Sequence, residues 1–339
     1  MVKEKMVHEF EKFGFESQDQ FSFPNIVNLC VIRGSCPCQC IHCPVGITPK
    51  NQRFERFGKS TISTRLFKKI VREMAGFPHA SLRIHGVGEP ILWKELANAL
   101  QFTKKNNVRT WLFTSLVTDD ISLLEKLAQY CDIIEISVNS FDENNYRKTK
   151  RIDAFSLVKQ NIEILRNTGK QKGFSSRIIV SRVESEDKSY DSDFVCFWKS
   201  SGLVDDAFIR TYHDYNALLD NKFAGKRTGI IPCLVHWSRF NIDCDGTVVI
   251  CFNELFKGIH PGESLVLGDT RNRSIEEIWH GEKLNLVRRA QREKDYSIVT
   301  FTDRLPCMGC SSCQSLLQKE KPTSEFQVKA FLNENKKHD

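Results

Sequence analysis

The first two thirds of the chain alternate between strand-like and helix-like segments, and this alternation constrains the fold more than any other feature. Runs rich in Val, Ile and Leu, typical of strands buried on both faces, precede segments whose apolar residues recur at helical spacing. The predicted strands are 21–32, 80–85, 109–113, 133–138, 177–183 and 207–210. The predicted helices between them are 61–75, 92–105, 120–130, 155–167 and 191–201. Parallel strands need a crossover, usually a helix, so we expect an α/β fold of parallel βα units curled into a barrel.

Three cysteines follow the first predicted strand at a spacing that suits iron. Cys36, Cys40 and Cys43 form a C-x3-C-x2-C run, and thiolates are the natural ligands of iron–sulfur clusters. A loop this short can reach three corners of a four-iron cube but not the fourth. The iron without a protein thiolate keeps open coordination sites for a small chelating molecule. The loop also follows a strand end, where α/β proteins build their active sites.

A structural zinc site is the alternative for these thiols. Zinc favours four tetrahedral ligands, often in two C-x2-C pairs, and either Cys38 or Cys30 offers a fourth thiolate. The observed spacing favours iron over zinc. We interpret Cys38 as an extra thiol of the loop that is not a ligand.

A glycine-rich turn follows the second predicted strand. In the run Gly86-Val87-Gly88-Glu89-Pro90, glycines let the backbone approach a ligand closely, and the carboxylate can accept hydrogen bonds from a cationic amine. On its own, such a run is typical of an ordinary strand-to-helix turn. Its position on the next βα loop after the cysteines makes a binding role the better interpretation.

The C-terminal third carries a second array of cysteines. Residues 240–251 predict a β-hairpin turned by Asp245-Gly246, and 274–279 predicts a helix. Six cysteines lie before, within and after these two elements. They are Cys233, Cys244, Cys251, Cys307, Cys310 and Cys313. A metal centre is the strongest interpretation of this array. A structural zinc ribbon made from the same thiolates is the alternative.

Together, the two cysteine arrays resemble the signature of the radical S-adenosylmethionine (SAM) superfamily with a C-terminal SPASM or Twitch extension. The resemblance covers about residues 25–315, and six strands match that family's open, partial (β/α)6 barrel. It implies a SAM-binding [4Fe-4S] cluster on the first array. It also implies one auxiliary [4Fe-4S] cluster in a shortened, Twitch-like extension, because Cys313 is the last cysteine. The implied auxiliary ligands are Cys233, Cys251, Cys307 and either Cys310 or Cys313.

The same resemblance implies roles for residues at strand ends. His42 takes the position where the family places an aromatic side chain against adenine. The run 86–89 looks like the Gly-Gly-Glu motif that holds the amino group of SAM, although Val87 departs from it. Ser137 falls where relatives contact the ribose or carboxylate of SAM, and Arg182 where a side chain can meet that carboxylate.

The implied reaction is reductive cleavage of SAM to a 5′-deoxyadenosyl radical, which removes a hydrogen atom from the substrate. A four-thiolate auxiliary cluster suits electron acceptance, so we expect a two-electron oxidation of a small polar metabolite such as a sugar or aminocyclitol. The alternative reaction is modification of a peptide or protein side chain. The alternative without enzymatic activity is a zinc-stabilised binding protein. An external one-electron donor such as flavodoxin or ferredoxin is expected. His213 and Asp214 are weak candidates for the proton acceptor, since an exposed loop pair explains them as well.

Four domains are expected: a helical extension over 1–24, with its helix at 3–14, the barrel over 25–215, the auxiliary cluster domain over 216–315 and a polar tail over 316–339. The charge of +7 over 339 residues lacks the concentrated basic stripe that nucleic-acid binding needs. The N-terminal segment mixes charges with apolar residues, which predicts neither a signal peptide nor a membrane span. We therefore expect a cytoplasmic protein without nucleic-acid or membrane partners.

Overall fold

The structure is a computed structural model that describes residues 22–220, 233–259, 262, 265–303, 305–308 and 310. The predicted N-terminal helix, the polar tail and Cys313 lie outside the described residues.

One sheet organises the described residues, with its nine strands in the order β6-β5-β4-β3-β2-β1-β7-β8-β9. Strands β1 to β6 pair in parallel, β7 pairs in parallel with β1, and β8 and β9 are antiparallel. The sheet is not closed: within the described residues β6 and β9 are its edges. The prediction of six parallel βα units is confirmed. The strands are Ile26–Arg33 (β1), Ser81–Val87 (β2), Arg109–Thr114 (β3), Ile133–Ser137 (β4), Arg177–Val183 (β5), Asp206–Arg210 (β6), Arg239–Ile242 (β7), Thr247–Val249 (β8) and Val266–Asp269 (β9).

The helices cover the outer face of the parallel strands and connect them. Within the described residues they are Pro44–Ile47 (α1), Arg53–Phe57 (α2), Thr64–Met74 (α3), Leu96–Lys105 (α4), Ile121–Tyr130 (α5), Glu143–Lys150 (α6), Phe155–Lys172 (α7), Lys188–Ser200 (α8), Leu234–Ser238 (α9), Ile275–Trp279 (α10) and Glu282–Glu293 (α11). None of these helices has the length and apolar character needed to span a bilayer.

One predicted helix start is confirmed by its capping side chain, and one predicted helix end is wrong. The Asp120 side chain accepts from the Leu123 amide at 2.9 Å and begins α5, as the sequence predicts. Helix α7 continues past the predicted end at 167 and through Gly169, and it ends at Gly173, whose left-handed φ of 69° closes the last turn. Helices α6 and α11 were not predicted, since charged residues dominate both sequences.

The C-terminal extension continues the sheet of the barrel. The predicted hairpin is present as β7 and β8, but β7 also pairs along β1, and Asn28 Nδ2 donates to Asn241 Oδ1 at 2.9 Å. The predicted helix forms α10, whose start is fixed by a capping box between Ser274 and Glu277. The extension also has an apolar cluster of its own, which includes Val287 and Cys307.

A buried ion pair joins the extension to the end of β1. Arg33 Nη1 lies 2.7 Å from Asp243 Oδ2, and the two side chains are 4% and 3% exposed. The remaining guanidinium nitrogens donate to the carbonyls of Phe57 at 2.8 Å and Leu255 at 3.0 Å, and to that of Gly258. Burial alone would lower the pKa of Arg33, but Asp243 outweighs it and raises that pKa. Arg33 therefore stays charged and holds three separate segments at the base of the cysteine loop.

We predict that breaking this ion pair destabilises the whole fold. Either Arg33→Met or Asp243→Asn should lower the free energy of unfolding by about 3–5 kcal/mol, because one buried charge loses its partner. The double variant should cost less than the sum of the two, since no uncompensated charge is left. Urea unfolding followed by circular dichroism measures all three values.

The pair Arg147 and Asp153 is the matched control, since its side chains are 53% and 73% exposed. Breaking it with Arg147→Gln should cost about 0–1 kcal/mol. Costs at Arg33 as small as this control, or a strictly additive double variant, would contradict the prediction.

Candidate active site

The cysteine loop lies between β1 and α1, and its thiols are close together. A hydrogen bond between the thiols of Cys36 and Cys38 raises the pKa of Cys38 to about 12. The Cys38 thiol and burial also raise the pKa of Cys40, while burial and the neighbouring Cys40 raise that of Cys43 to about 11. The structure thus brings the three predicted ligands together, with the extra thiol of Cys38 among them.

The thiols of this loop fit a cluster with one thiolate per iron. Among the described side chains, no three of His, Cys, Asp or Glu converge as ligands of a single metal ion. A four-iron cube does not require such convergence, because each of its irons takes its own thiolate. The two cysteine arrays are therefore compatible with cubes.

A buried arginine holds the cysteine loop in shape. Arg53, 2% exposed on α2, donates from Nη1 to the Cys36 carbonyl at 2.8 Å and from Nη2 to the Cys38 carbonyl at 3.0 Å. It also donates to the carbonyls of Gly46 at 3.3 Å and Thr48 at 3.1 Å. Sequence reasoning missed this residue, because an arginine in a polar segment is more often on the surface.

The glycine turn at the end of β2 lies directly against the cysteine loop. The Glu89 amide donates to the Ser35 carbonyl at 2.7 Å. A Cβ atom on Gly88 would lie 2.6 Å from the Ser35 oxygen, and one on Gly86 would lie 2.7 Å from the Ile32 oxygen. These glycines therefore allow the two predicted motifs to meet backbone to backbone.

The Glu89 carboxylate is bound by the end of β3. It is 3% exposed and accepts from Thr114 Oγ1 at 2.6 Å, from the Ser115 amide at 2.7 Å and from Ser115 Oγ at 2.5 Å. A contact of Glu89 with the amino group of SAM stays a prediction. The structure itself shows that Glu89 fixes the turn after β2 against the next strand.

Lys150 is a buried cation beside the thiols, and sequence reasoning missed it. It ends α6, is 2% exposed, and donates from Nζ to Ser137 Oγ at 3.1 Å. Burial alone would lower its pKa, but the thiols of Cys40, Cys38 and Cys36 and the Glu89 carboxylate raise it. The signal that could have revealed α6 is its N-cap: an Asp side chain accepts from the amide three residues on, at 2.8 Å.

The end of α6 also pairs with the cysteine loop itself. The Gln39 amide donates to the Lys150 carbonyl at 2.9 Å, and the Ile41 amide donates to the Thr149 carbonyl at 3.0 Å. His42, next in the loop, is partly buried. Burial and the charges of Lys150 and Arg182 lower the pKa of His42 to about 3, so its ring is neutral near pH 7.

Arg182 lies close to this site but is bound within the protein. It is 5% exposed, and its Nε lies 2.8 Å from Asp191 Oδ1. Its other nitrogens donate to Ser185 Oγ at 3.1 Å and to the Asn139 carbonyl. Ser137, the other predicted strand-end contact, accepts from Lys150 and from Asn139 Nδ2. Contacts of Arg182 and Ser137 with a cofactor stay predictions.

The inner face of the sheet, which turns away from the helices, carries buried charged and polar side chains next to a small apolar cluster that includes Ile133 and Ile179. Ile134 and Ile136 pack in the main core, so Glu135 between them points inward. Glu135, 0% exposed, accepts from Arg210 Nε at 2.7 Å and from Trp111 Nε1 at 3.0 Å, and it lies 4.0 Å from Arg83 Nη2. A buried carboxylate with two guanidinium groups is unusual in a plain core and typical of functional sites.

Above this cluster, the inner face carries polar atoms without protein partners. His85 is 3% exposed, its ring contacts Phe252 edge-on at 4.2 Å, and neither ring nitrogen has a hydrogen-bond partner. Burial and the charge of Arg83 lower the pKa of His85, so the ring is neutral. Asn28 Oδ1 and Ser181 Oγ on the same face also lack partners. Buried atoms of this kind are normally satisfied by water or a ligand.

The second cysteine array partly assembles in the extension. Burial and the thiols of Cys233 and Cys310 raise the pKa of Cys251, which places these three near one another. Cys307 is buried, and its Sγ lies 3.7 Å from His236 Nε2. The array meets the inner face at Phe252, which follows Cys251 and contacts His85.

The predicted proton acceptors lie on the segment after β6. His213 is exposed, whereas Asp214 is 9% exposed and accepts from the Asn216 amide at 3.0 Å. The two side chains thus differ in exposure to solvent. A role for either in proton transfer stays a prediction.

Comparison with protein-family models identifies both parts of the chain. The model described as Radical SAM superfamily matches residues 31–191, and the SPASM model, described as an iron–sulfur cluster-binding domain, matches residues 233–314. A search of curated proteins found no match.

Solved structures of low sequence identity share the fold. Streptococcus suis SuiB is 13% identical, with a TM-score of 0.60 over 85% of this chain and 73% of that chain. The protein anSMEcpe with bound AdoMet is 14% identical, with a TM-score of 0.57 over 87% of this chain and 89% of that chain. Radical SAM and SPASM domains bind SAM and [4Fe-4S] clusters. The chain therefore belongs to the radical SAM superfamily and carries a C-terminal SPASM-type iron–sulfur domain.

Proposed function

We propose that the protein oxidises a small polar metabolite, such as a sugar or aminocyclitol, by two electrons. Cys36, Cys40 and Cys43 would hold the cluster that binds SAM. When bound, SAM and this cluster supply a 5′-deoxyadenosyl radical that removes a hydrogen atom from the substrate. An external one-electron donor such as flavodoxin or ferredoxin would reduce the first cluster.

Residues around the cysteine loop support this assignment by charge and by shape. Arg53 fixes the loop carbonyls, and Lys150 places a buried positive charge beside the thiols and the Glu89 carboxylate. A buried cation favours an anionic cluster loop and can also bind a ligand carboxylate. The aromatic ring of His42 is partly buried at the loop, and such a ring can stack on an adenine ring.

The second array supports an oxidation. Cys233, Cys251 and Cys310 lie near one another, and with Cys307 they would give a cluster four thiolates. Such a cluster has no open iron for substrate and is suited to accepting an electron. Cys313, which is the alternative to Cys310 as a ligand, lies outside the described residues.

The polar inner face is the observation that favours a small polar substrate. His85, Asn28 and Ser181 offer buried hydrogen-bonding atoms without protein partners. A molecule with several hydroxyl groups would satisfy them, whereas an apolar side chain would leave them unpaired at a cost of about 1–3 kcal/mol each. Peptide modification is the second candidate, because structures that share the fold hold peptides: SuiB with precursor peptide SuiA, and anSMEcpe with the Cp18Cys peptide.

The domain boundaries expected from the sequence are kept as part of the proposal. The family matches lie inside the two larger domains but do not reach their ends. The Radical SAM match at 31–191 lies within the proposed barrel, 25–215, and the SPASM match at 233–314 lies within the proposed cluster domain, 216–315. The cytoplasmic location likewise stays a proposal.

We predict that Arg53→Gln selectively weakens the first cluster. The four carbonyls that Arg53 holds would lose their shared donor, so the anaerobically reconstituted variant should keep about four of about eight irons per chain. Retention of the second cluster shows that the variant still folds. Arg56→Gln, on the same helix, is the matched control and should keep both clusters. Full iron content in Arg53→Gln would contradict the role given to Arg53.

We also predict that the second cluster is needed for product but not for SAM cleavage. The protein is incubated with SAM, reductant and a panel of sugars and aminocyclitols, and mass spectrometry detects products that have lost two hydrogens. The double variant Cys307→Ala/Cys310→Ala should still form 5′-deoxyadenosine, because the first array is untouched, but little oxidised product. Cys196→Ala, at an exposed cysteine, is the control and should behave as wild type. Normal oxidised product from the double variant would show that the second cluster is not the electron acceptor.

A further inference from the structure

A buried histidine lies next to one cysteine of the second array. His236, on α9, is 1% exposed, and its Nε2 lies 3.7 Å from Cys307 Sγ. Its other ring nitrogen, Nδ1, lies 2.6 Å from Nε2 of Gln291, which is on α11 and also 1% exposed. Neither residue has a role in the function described above.

A tryptophan fixes which way the Gln291 amide faces. Trp237 Nε1 lies 2.8 Å from Gln291 Oε1, and an indole nitrogen can only donate a hydrogen bond. The Cys233 amide also donates to the same oxygen, at 3.4 Å. Gln291 Oε1 is therefore the acceptor, and the amide group Nε2 must be the atom that faces His236.

The orientation of Gln291 in turn fixes the tautomer of His236. Gln291 Nε2 can only donate, so His236 Nδ1 accepts and carries no proton. A neutral imidazole then holds its proton on Nε2, the nitrogen that faces Cys307. The ring is neutral on this geometry alone, because a protonated imidazole would carry a proton on both nitrogens.

The position of His236 is held from the backbone as well. Arg288 Nε donates to the His236 carbonyl at 2.8 Å, and its Nη1 donates to the Trp279 carbonyl at 2.8 Å. The same guanidinium lies 3.9 Å from the centre of the Trp279 ring. Helices α9, α10 and α11 are thereby joined around the histidine, which leaves its ring little freedom.

We propose that His236 donates a hydrogen bond from Nε2 to Cys307 Sγ and thereby raises the reduction potential of the second cluster. A donor to a ligating thiolate stabilises the more negative, reduced state of an iron–sulfur cluster. The inference rests on the proposed function, in which Cys307 is a ligand of that cluster. His236 acts through Cys307 and is a positioning residue, and it makes the second cluster a better acceptor of the substrate's electron.

The test uses the full-length holoprotein and follows the EPR signal of the reduced second cluster, which is the signal that added SAM does not change. Redox titration gives its midpoint potential, and pulsed EPR after exchange into D2O detects a coupled exchangeable proton. His236→Phe fills the space without a donor and should lower the potential and remove the proton coupling. His236→Gln places an amide donor at similar reach and should restore both towards wild type. The potential of the first cluster should not change in either variant.

Three outcomes would overturn the inference in distinguishable ways. An unchanged potential and proton coupling in His236→Phe, with both clusters present, overturns it and leaves the proposed function intact. Loss of the second cluster's irons in both His236 variants shows that His236 is a ligand and not a donor. Absence of a second cluster from the wild-type protein overturns the proposed function and this inference together.

Discussion

The Arg33–Asp243 ion pair at the end of β1 is the interaction on which the functional parts of this protein depend. Strand β1 is buried along its whole length, because β2 pairs on one side and β7 on the other. Its last residue, Arg33, binds Asp243 in the hairpin of the extension and the last residue of α2, and the cysteine loop begins immediately after it. The two cysteine arrays are thereby attached to the same strand. The extension is best understood as a continuation of the barrel sheet, which gives the second array a fixed position relative to the first.

Buried cations recur wherever the chain gathers thiols. Arg53 binds the carbonyls of the cysteine loop, Lys150 lies beside its thiols, and Arg288 supports the histidine next to Cys307. A buried cation without compensation is costly: the thiols compensate Lys150, whereas backbone carbonyls bind Arg53 and Arg288. The same logic applies to the inner face, where Glu135 stands between Arg210 and Arg83. Buried charged side chains therefore lie at the two cysteine arrays and on the inner face, which are the sites given a function here.

The sequence predicted the elements that apolar periodicity and capping residues determine. Strand β5 was predicted with its observed ends, and the capping residues Asp120 and Ser274 begin their helices as expected. The proximity of the cysteine loop and the glycine turn also followed from their places at adjacent strand ends. Helices α6 and α11 were missed because their charged residues resemble solvent-exposed faces, yet they carry Lys150 and Gln291, which are buried. Nor could the pattern show that Arg182 binds Asp191 within the protein, since a pairing between side chains depends on tertiary distances.

Mössbauer spectroscopy combined with metal analysis of anaerobically purified, reconstituted protein tests the central claim most directly. The claim is that one continuous sheet carries two separate thiolate arrays, each holding its own cube. The account predicts about eight irons per chain, all in four-iron clusters, with SAM changing the spectrum of only one of them. A protein that holds one or two zinc ions and no iron, or about four irons in a single cluster, would contradict it.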